Sequence, residues 1–448
     1  MNKYFTEFPK TSQEEWKEKL LSDLKGKPHE LLEINDPIEE IHLDGYAHSD
    51  SSSQTNEIPG SGSFVRGTRS KDNSWANGIY IEVHDEKVVN EKALRQLMAG
   101  VDLLIFKSCK PTTDWSTVLN GIELAFIKVH FEPNSMSDYA QIKTLTDAHA
   151  SRVSFCIDFV DDWKPSELET IIVNHHNEQQ PFCLVNGFGV QRVGGTSWQE
   201  IAYSLNAGHE YLLKLMDAGL SVDQAATCIS FRVGVGANYF FSIAKIRALK
   251  QLWATIIGAY KPNDIQSKNC SITAFIGHTN KSLRDPHTNL LRQSTEAMAA
   301  LSAGVDSIVI LPHDYYSDQP VSSISERMAV NIPLVLKEES YFDKVLDPLG
   351  GSYSLEKITG IIAAKAWQKF QAVEQLGGIL NDVARTTFVS EIEQKRNERI
   401  AYLKEGKQKL IGINLFMNPE NVPSNWRKVP GYLGLEALVL EQHSNSAL

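Results

Sequence analysis

No run of 18 apolar residues occurs in this 448-residue chain, so nothing in it reads as a membrane-spanning helix. The opening, Met1 to Glu7, is polar and lacks the apolar stretch of a signal peptide. Long basic runs are missing too, and the formal net charge is -11. A nucleic-acid surface needs clustered Lys and Arg, so nucleic acid drops out as a partner. Cysteine is sparse: Cys109, Cys156, Cys183, Cys228 and Cys270 form no CxxC pair. Four of them lie in or beside apolar runs, where a thiol behaves as a small hydrophobe in a reducing compartment. There is no GxSxG elbow, no Walker pattern and no GxGxxG spacing, which leaves acyl hydrolysis and the common nucleotide loops without support. A cytoplasmic enzyme or enzyme subunit remains.

What is present is a regular alternation. Eight short apolar runs, at 79–83, 101–106, 125–131, 153–159, 182–186, 227–233, 271–276 and 305–311, are rich in Val, Ile and Phe and suit buried parallel strands. Each gap between them is long enough for a helix. Ser197 to Glu200 reads as a capping box opening a helix with Ile201, Leu205, Leu212 and Leu215 on one face. Asp285-Pro286 reads as a cap and first turn, with Gly304 ending that helix. Eight strands alternating with helices predict an α/β fold, a (β/α)8 TIM barrel over 64–340. A doubly wound sheet is the main rival. Residues 1–63 read as an N-terminal arm, with a helical stripe of Trp16, Leu20, Leu21 and Leu24, an edge strand within 41–50, and a Ser- and Gly-rich linker at 51–63. After Pro333 the chain turns helical, through 358–376 and 379–404. The stretch from Met417 looks irregular, and 341–448 reads as C-terminal helices and tail.

Barrel chemistry sits where strands end. The fifth run ends in Asn186-Gly187-Phe188-Gly189-Val190-Gln191-Arg192-Val193-Gly194-Gly195-Thr196, which could cradle a phosphate or could simply turn into a helix. Behind the sixth run, Arg232, Lys245, Arg247 and Lys250 offer either a cationic site or a solvated or ion-paired helix face. At the seventh and eighth runs His278, His287, His313 and Asp314 raise the thought of a metal, though nothing in their spacing supports ligation.

Longer stretches carry more information. Ser230-Phe231-Arg232 with Tyr239 to Ala248 and Leu252-Trp253-Ala254, then Ser294 to Ala300, then Asp347-Pro348-Leu349-Gly350-Gly351-Ser352-Tyr353, and Leu410-Ile411-Gly412-Ile413-Asn414, resemble the methylmalonyl-CoA mutase family. Ala366-Trp367, Glu374 and Gly377-Gly378 continue the match. The resemblance covers about residues 1–415 and is dense from 186 onward. It implies a (β/α)8 barrel threaded by an acyl-CoA, and adenosylcobalamin, whose radical drives a carbon-skeleton rearrangement.

The departures matter as much. Catalytic members of that family carry Gly-Tyr-His after the fifth strand; here Gly187-Phe188-Gly189 stands there, so Gly189 replaces the imidazole that would bond the migrating carbonyl. Their Arg-Thr-His-Ser-Gln corresponds to Thr273-Ala274-Phe275-Ile276-Gly277, or to Ser271–Phe275 counted ungapped from Asp285-Pro286. Their Trp-Thr-Ile-Arg-Gln-Tyr reads Trp75-Ala76-Asn77-Gly78-Ile79-Tyr80, which leaves Tyr80 as a remnant. The cobalt-ligating Asp-x-His-x-x-Gly is not found: Asp147-Ala148-His149 is followed by Ala150-Ser151-Arg152, and the stretch after Asn414 is too short for a cobalamin domain. The resemblance therefore implies a small, non-catalytic subunit that binds no cofactor itself and pairs with a large catalytic subunit holding the cobalamin. The degenerate positions are Gly189, Thr273, Phe275 and Gly277. Two alternatives stand beside this: an acyl-CoA-binding half whose cobalamin domain is a separate chain, and an independent barrel enzyme using His278, His313 and Asp314.

Overall fold

The protein is described from a computed structural model that covers residues 11–48, 57–110, 112–161, 167–168, 170–172, 180–417 and 425–444. All eight apolar runs form strands: β1 Ala76–Val83, β2 Leu103–Ser108, β3 Lys128–Glu132, β4 Val153–Phe155, β5 Cys183–Asn186, β6 Ile229–Val235, β7 Ile272–Ile276 and β8 Ser307–Val309. They form one parallel sheet in the order β4-β3-β2-β1-β8-β7-β6-β5. Its two edges meet: Ile157 bridges to Cys183, and the Leu184 amide donates to the Ile157 carbonyl at 2.9 Å. The sheet is thus a nearly closed barrel. Closure removes the exposed edge, and the strands can be apolar on both faces because helices cover the outside and side chains fill the inside.

Side-chain alternation splits the apolar residues into two cores. In β2, Leu103 and Ile105 point inward to meet Phe188, Phe275 and Val309, whereas Leu104 and Phe106 point outward to the helix layer. The helices Ser197–Asp217 and Tyr239–Ala259 pack outside β5 and β6, and helix Tyr353–Gln375 lies over both. Helix Asp382–Lys404 follows, its N-terminus capped by Asn381. Among the described residues no helix is long and apolar enough to cross a membrane.

Four sequence expectations need correction. The capping box of the Ser197–Asp217 helix uses Thr196 and Gln199, one residue earlier than read, because Glu200 turns inward to meet Lys245. The helix expected from Asp285-Pro286 begins at Thr288, with Asp285 instead accepting the Thr288 hydroxyl at 2.5 Å. Gly304, at φ +72°, ends it as expected. Helical structure does follow Pro333, but Pro333 does not mark its start, since it lies within helix Ser323–Glu338. Residues 59–63 are turns held by hydrogen bonds, such as Gly60 amide to Gly67 carbonyl at 2.9 Å, rather than an open linker; residues 51–56 lie outside the described set.

Helix Gln13–Leu24 is capped by Ser12 and Glu15 and buries none of its residues, although Trp16 stacks on Tyr46 at 4.3 Å. The following hairpin, Ile34–Asp36 with Ile41–Leu43, buries Ile41 and Leu43 and is tied down by Lys365 and Lys395 on Glu40, at 2.9 and 2.6 Å.

Candidate functional site

The C-terminal ends of the strands surround a compact polar knot. Glu132 at the end of β3 accepts from Arg232 on β6 and from the Tyr80 hydroxyl on β1 at 3.1 Å, with Lys107 at 3.7 Å. Burial pushes the Glu132 carboxyl up, but Arg232 and Lys107 together outweigh it and hold the carboxyl below its ordinary range. Arg232 lies over the Phe275 ring at 4.4 Å, and Phe275 stacks on Phe188 at 5.4 Å and meets Tyr80 edge-on at 5.7 Å. Three sequence-singled residues, Tyr80, Phe275 and Arg232, are therefore brought together inside the barrel.

Gly189 sits in the first turn after β5, where Asn186 accepts from its amide at 3.2 Å. A Cβ built there would lie 2.3 Å from the ring of Tyr432. That ring comes from the far C-terminal region; its hydroxyl meets the Asp158 carboxylate at 2.5 Å and the Tyr203 hydroxyl at 2.6 Å. The space beside Gly189 is filled by another part of the same chain. Gly277 is similar: a Cβ there would meet the Gln191 side-chain nitrogen at 2.6 Å. The Thr273 hydroxyl bonds Ser307 on the neighbouring strand at 2.8 Å. Gly78 packs against β2 and β8, where a Cβ would meet Leu103 and Val309 at 3.1 Å.

The irregular stretch after Met417 is the main surprise. Residues 425–443 cross the mouth as a strap. Arg427 pairs with Glu82 at 3.0 Å and lies over Tyr315 at 4.5 Å. Glu441 accepts from the Leu283 and Arg284 amides, at 2.9 and 3.1 Å, and from the Trp426 indole at 3.0 Å. The Leu438 and Leu440 amides donate to the carbonyls of Arg192 and Thr279. Beneath the strap remains a cavity of about 100 Å³ lined by Tyr80, Phe188, Arg232, Phe275 and His278 among others. No periodicity in the sequence marks the strap, and its partners lie far away along the chain.

The other sequence candidates separate. Lys245 pairs with Glu200 at 2.5 Å, Arg247 with Asp347 and Glu356, and Lys250 donates to the carbonyls of Ala303 and Gly304, both at 2.7 Å. All are buried, so they form no open cationic site; for Lys245 and Arg247 the ion-paired reading holds, with the pairs inside the protein rather than in solvent. Burial pushes the Lys250 ammonium down to about 8. The glycine loop does lead into a helix N-terminus, but the Ser197 amide there already donates to Glu39 of the N-terminal hairpin at 2.8 Å. A larger polar cavity, about 480 Å³, opens beside it between Glu39, Glu200, Asn238 and Arg399.

His287 and His313 have ring centroids 5.6 Å apart, while His278 faces Tyr316 at 5.1 Å. Among the described residues, the His, Cys, Asp and Glu side chains close enough to share an ion are Glu33, His42 and Asp44 in the N-terminal segment, not these. Asp147 to Arg152 form a 3-10 turn leading into β4.

Residues 172–432 match the family model for methylmalonyl-CoA mutase. A methylmalonyl-CoA mutase small subunit from Porphyromonas gingivalis is 33% identical over 444 residues, covering 93% of this chain and 71% of that protein. The methylmalonyl-CoA mutase of Rhizobium meliloti is 33% identical over 52% of this chain and 32% of its own length. The large subunit from Propionibacterium freudenreichii is 31% identical over 55% of this chain and 34% of its own. These last two matches thus take in about a third of each relative.

Proposed function

Because the chain belongs to the methylmalonyl-CoA mutase family, we propose that it is the small subunit of a two-chain, adenosylcobalamin-dependent mutase that interconverts methylmalonyl-CoA and succinyl-CoA. Its role is to support a large catalytic subunit rather than to turn over substrate. The observation that carries this reading is the filled barrel. The position of the family's imidazole is Gly189, and Tyr432 occupies the adjoining space. What remains under the strap, about 100 Å³, is far below the several hundred Å³ that even a drug-sized ligand needs, and an acyl-CoA is larger.

The strap covers the C-terminal face of the barrel with Trp426, Arg427 and Tyr432, and the described residues there do not fit a corrin. Cobalamin in the complex is therefore assigned to the partner. The functional location is the cytoplasm.

Residues 1–63 are assigned as the subunit-contact arm, 64–340 as the barrel, and 341–448 as C-terminal helices and tail. Support for the arm lies in what helix Gln13–Leu24 and its neighbours leave uncovered: Leu21 is 55% exposed, Leu31 67% and Ile34 55%. Such a surface suits a partner.

Co-expression with a large mutase chain from the same host, followed by size exclusion with light scattering, tests the assignment. A one-to-one complex is expected, with the isolated small chain giving no visible-spectrum shift on titration with adenosylcobalamin. Separate elution at micromolar concentration, or a base-off, histidine-on spectrum from the isolated chain, refutes it. A copy lacking residues 1–63 that still pairs fully refutes only the role of the arm.

A further inference from the structure

The cavity under the strap is small, but it is not chemically blank. Two arginines, Arg192 and Arg232, flank it from the barrel, and Arg427 and Lys428 overhang it from the strap. Glu82 is the carboxylate in its lining, and it already pairs with Arg427. Behind Arg232, Glu132 is shared with Lys107, so its charge is offset twice. The lining therefore carries a surplus of positive charge.

Unmet hydrogen-bonding capacity points the same way. His278 is completely buried, and neither of its ring nitrogens has a partner. The Nε atoms of Arg232 and Arg192 are buried and unpartnered as well. Native proteins leave few buried polar groups unpaired, and each such group costs free energy. All three belong to residues that line this cavity, and each has one donor to offer: one nitrogen of the neutral imidazole and the Nε–H of each guanidinium. The walls between them are aromatic: Arg192 lies 5.6 Å from the Phe188 ring, and Phe188, Phe275 and Arg232 continue the stack. Planar guanidinium groups held against rings are preorganised for a flat oxyanion.

We propose that this cavity binds a small oxyanion, a carboxylate or phosphate, held by Arg192, Arg232 and His278 beneath the strap. At about 100 Å³, roughly three waters' share of volume, it is limited to an anion of a few heavy atoms. The occupant is a free small molecule, not the acyl end of a coenzyme A thioester. The inference does not rest on the subunit assignment, since a chain that pairs with no partner would keep the same cavity.

The test is calorimetric titration of the purified full-length chain with phosphate, acetate and malonate, each at fixed ionic strength. Saturable one-site binding of at least one anion is expected, with the His278 ring nitrogen resonances moving along the same isotherm in a 15N-histidine sample. Arg192→Gln should weaken binding about tenfold or more, and Arg192→Lys should recover part of it. Arg427→Gln should weaken it too, while Lys214→Gln, on an outer helix, should not. No saturable binding of any of the three overturns the proposal. So does binding that leaves His278 unmoved and survives Arg192→Gln unchanged, because the anion then sits elsewhere.

Discussion

The contact between Gly189 and Tyr432 can be broken and restored. Replacing Gly189 with Ala adds one Cβ, which the present structure would place 2.3 Å from one ring carbon of Tyr432 and 2.4 Å from the next. No backbone strain is involved, since Gly189 lies in a right-handed helical turn. The ring must move, and it is fully enclosed. Overpacking of this kind costs about 1–3 kcal/mol. Moving the ring also pulls its hydroxyl from Asp158, a hydrogen bond to a charged group worth about 1.5–3 kcal/mol. Gly189→Ala should therefore destabilise the chain by about 3–5 kcal/mol. Tyr432→Ala should do the same by a different route, leaving a cavity at about 3–5 kcal/mol. The double variant should be no worse than Tyr432→Ala alone, because the clash is gone and the added methyl fills part of the hole. Urea unfolding followed by circular dichroism gives all four corners of the cycle, with a coupling of about 2 kcal/mol or more expected. A Gly189→Ala variant within 0.5 kcal/mol of the parent would refute the argument that Tyr432 occupies this space; so would strict additivity.

Two further outcomes follow from buried charge. Burial, with the nearby Arg192 and Lys281 charges adding to it, pushes His278 down to about 3, below the ordinary 6.5. The unfolded chain therefore takes up a proton first, and stability present above pH 6.5 is lost as pH falls towards 3, by about 2–3 kcal/mol between pH 6.5 and 4.5. In urea unfolding across that range the parent should lose about 2–3 kcal/mol that His278→Leu keeps; parallel curves would contradict it. Glu132→Gln strands Arg232 in the interior and should cost about 3–5 kcal/mol, whereas Glu132→Leu with Arg232→Met should cost less than the single change, as thermal unfolding would show.

Much of the barrel was legible because parallel strands covered on both faces must be apolar throughout, and runs such as Leu103 to Phe106 announce that. Helix starts were legible only to within a residue or two. Thr196-x-x-Gln199 and Ser197-x-x-Glu200 are both grammatical capping boxes, and the choice between them is made by Lys245 on another helix, drawing Glu200 inward. The same holds for the cations. Arg232 and Arg247 each meet a partner 100 residues away, so local spacing could not tell a buried pair from a wet helix face. At the site, the sequence could show that Gly189 lacks a side chain but not that Tyr432 fills the space, since the strap has no periodicity and is held by single long-range contacts. In the sequence His278 reads as a metal candidate; its burial without hydrogen-bond partners is a property of the folded chain alone.

The strap also dictates an order of events. Its contacts join residues separated by 159, 274 and 345 positions, at Glu441 with Ser282, Tyr432 with Asp158, and Arg427 with Glu82. Every strand it touches precedes it in the chain and leaves the ribosome first. Contacts of such span carry the greatest loop-closure penalty and form late. At roughly 5–20 residues per second of synthesis, the barrel stands for a second or more with Phe188, Phe275 and Tyr316 open to water. During that interval the nascent protein presents a sticky apolar cup with positive charge at its rim. Transiently exposed apolar surface of this kind is prone to aggregation, until Tyr432 seats and the surface disappears.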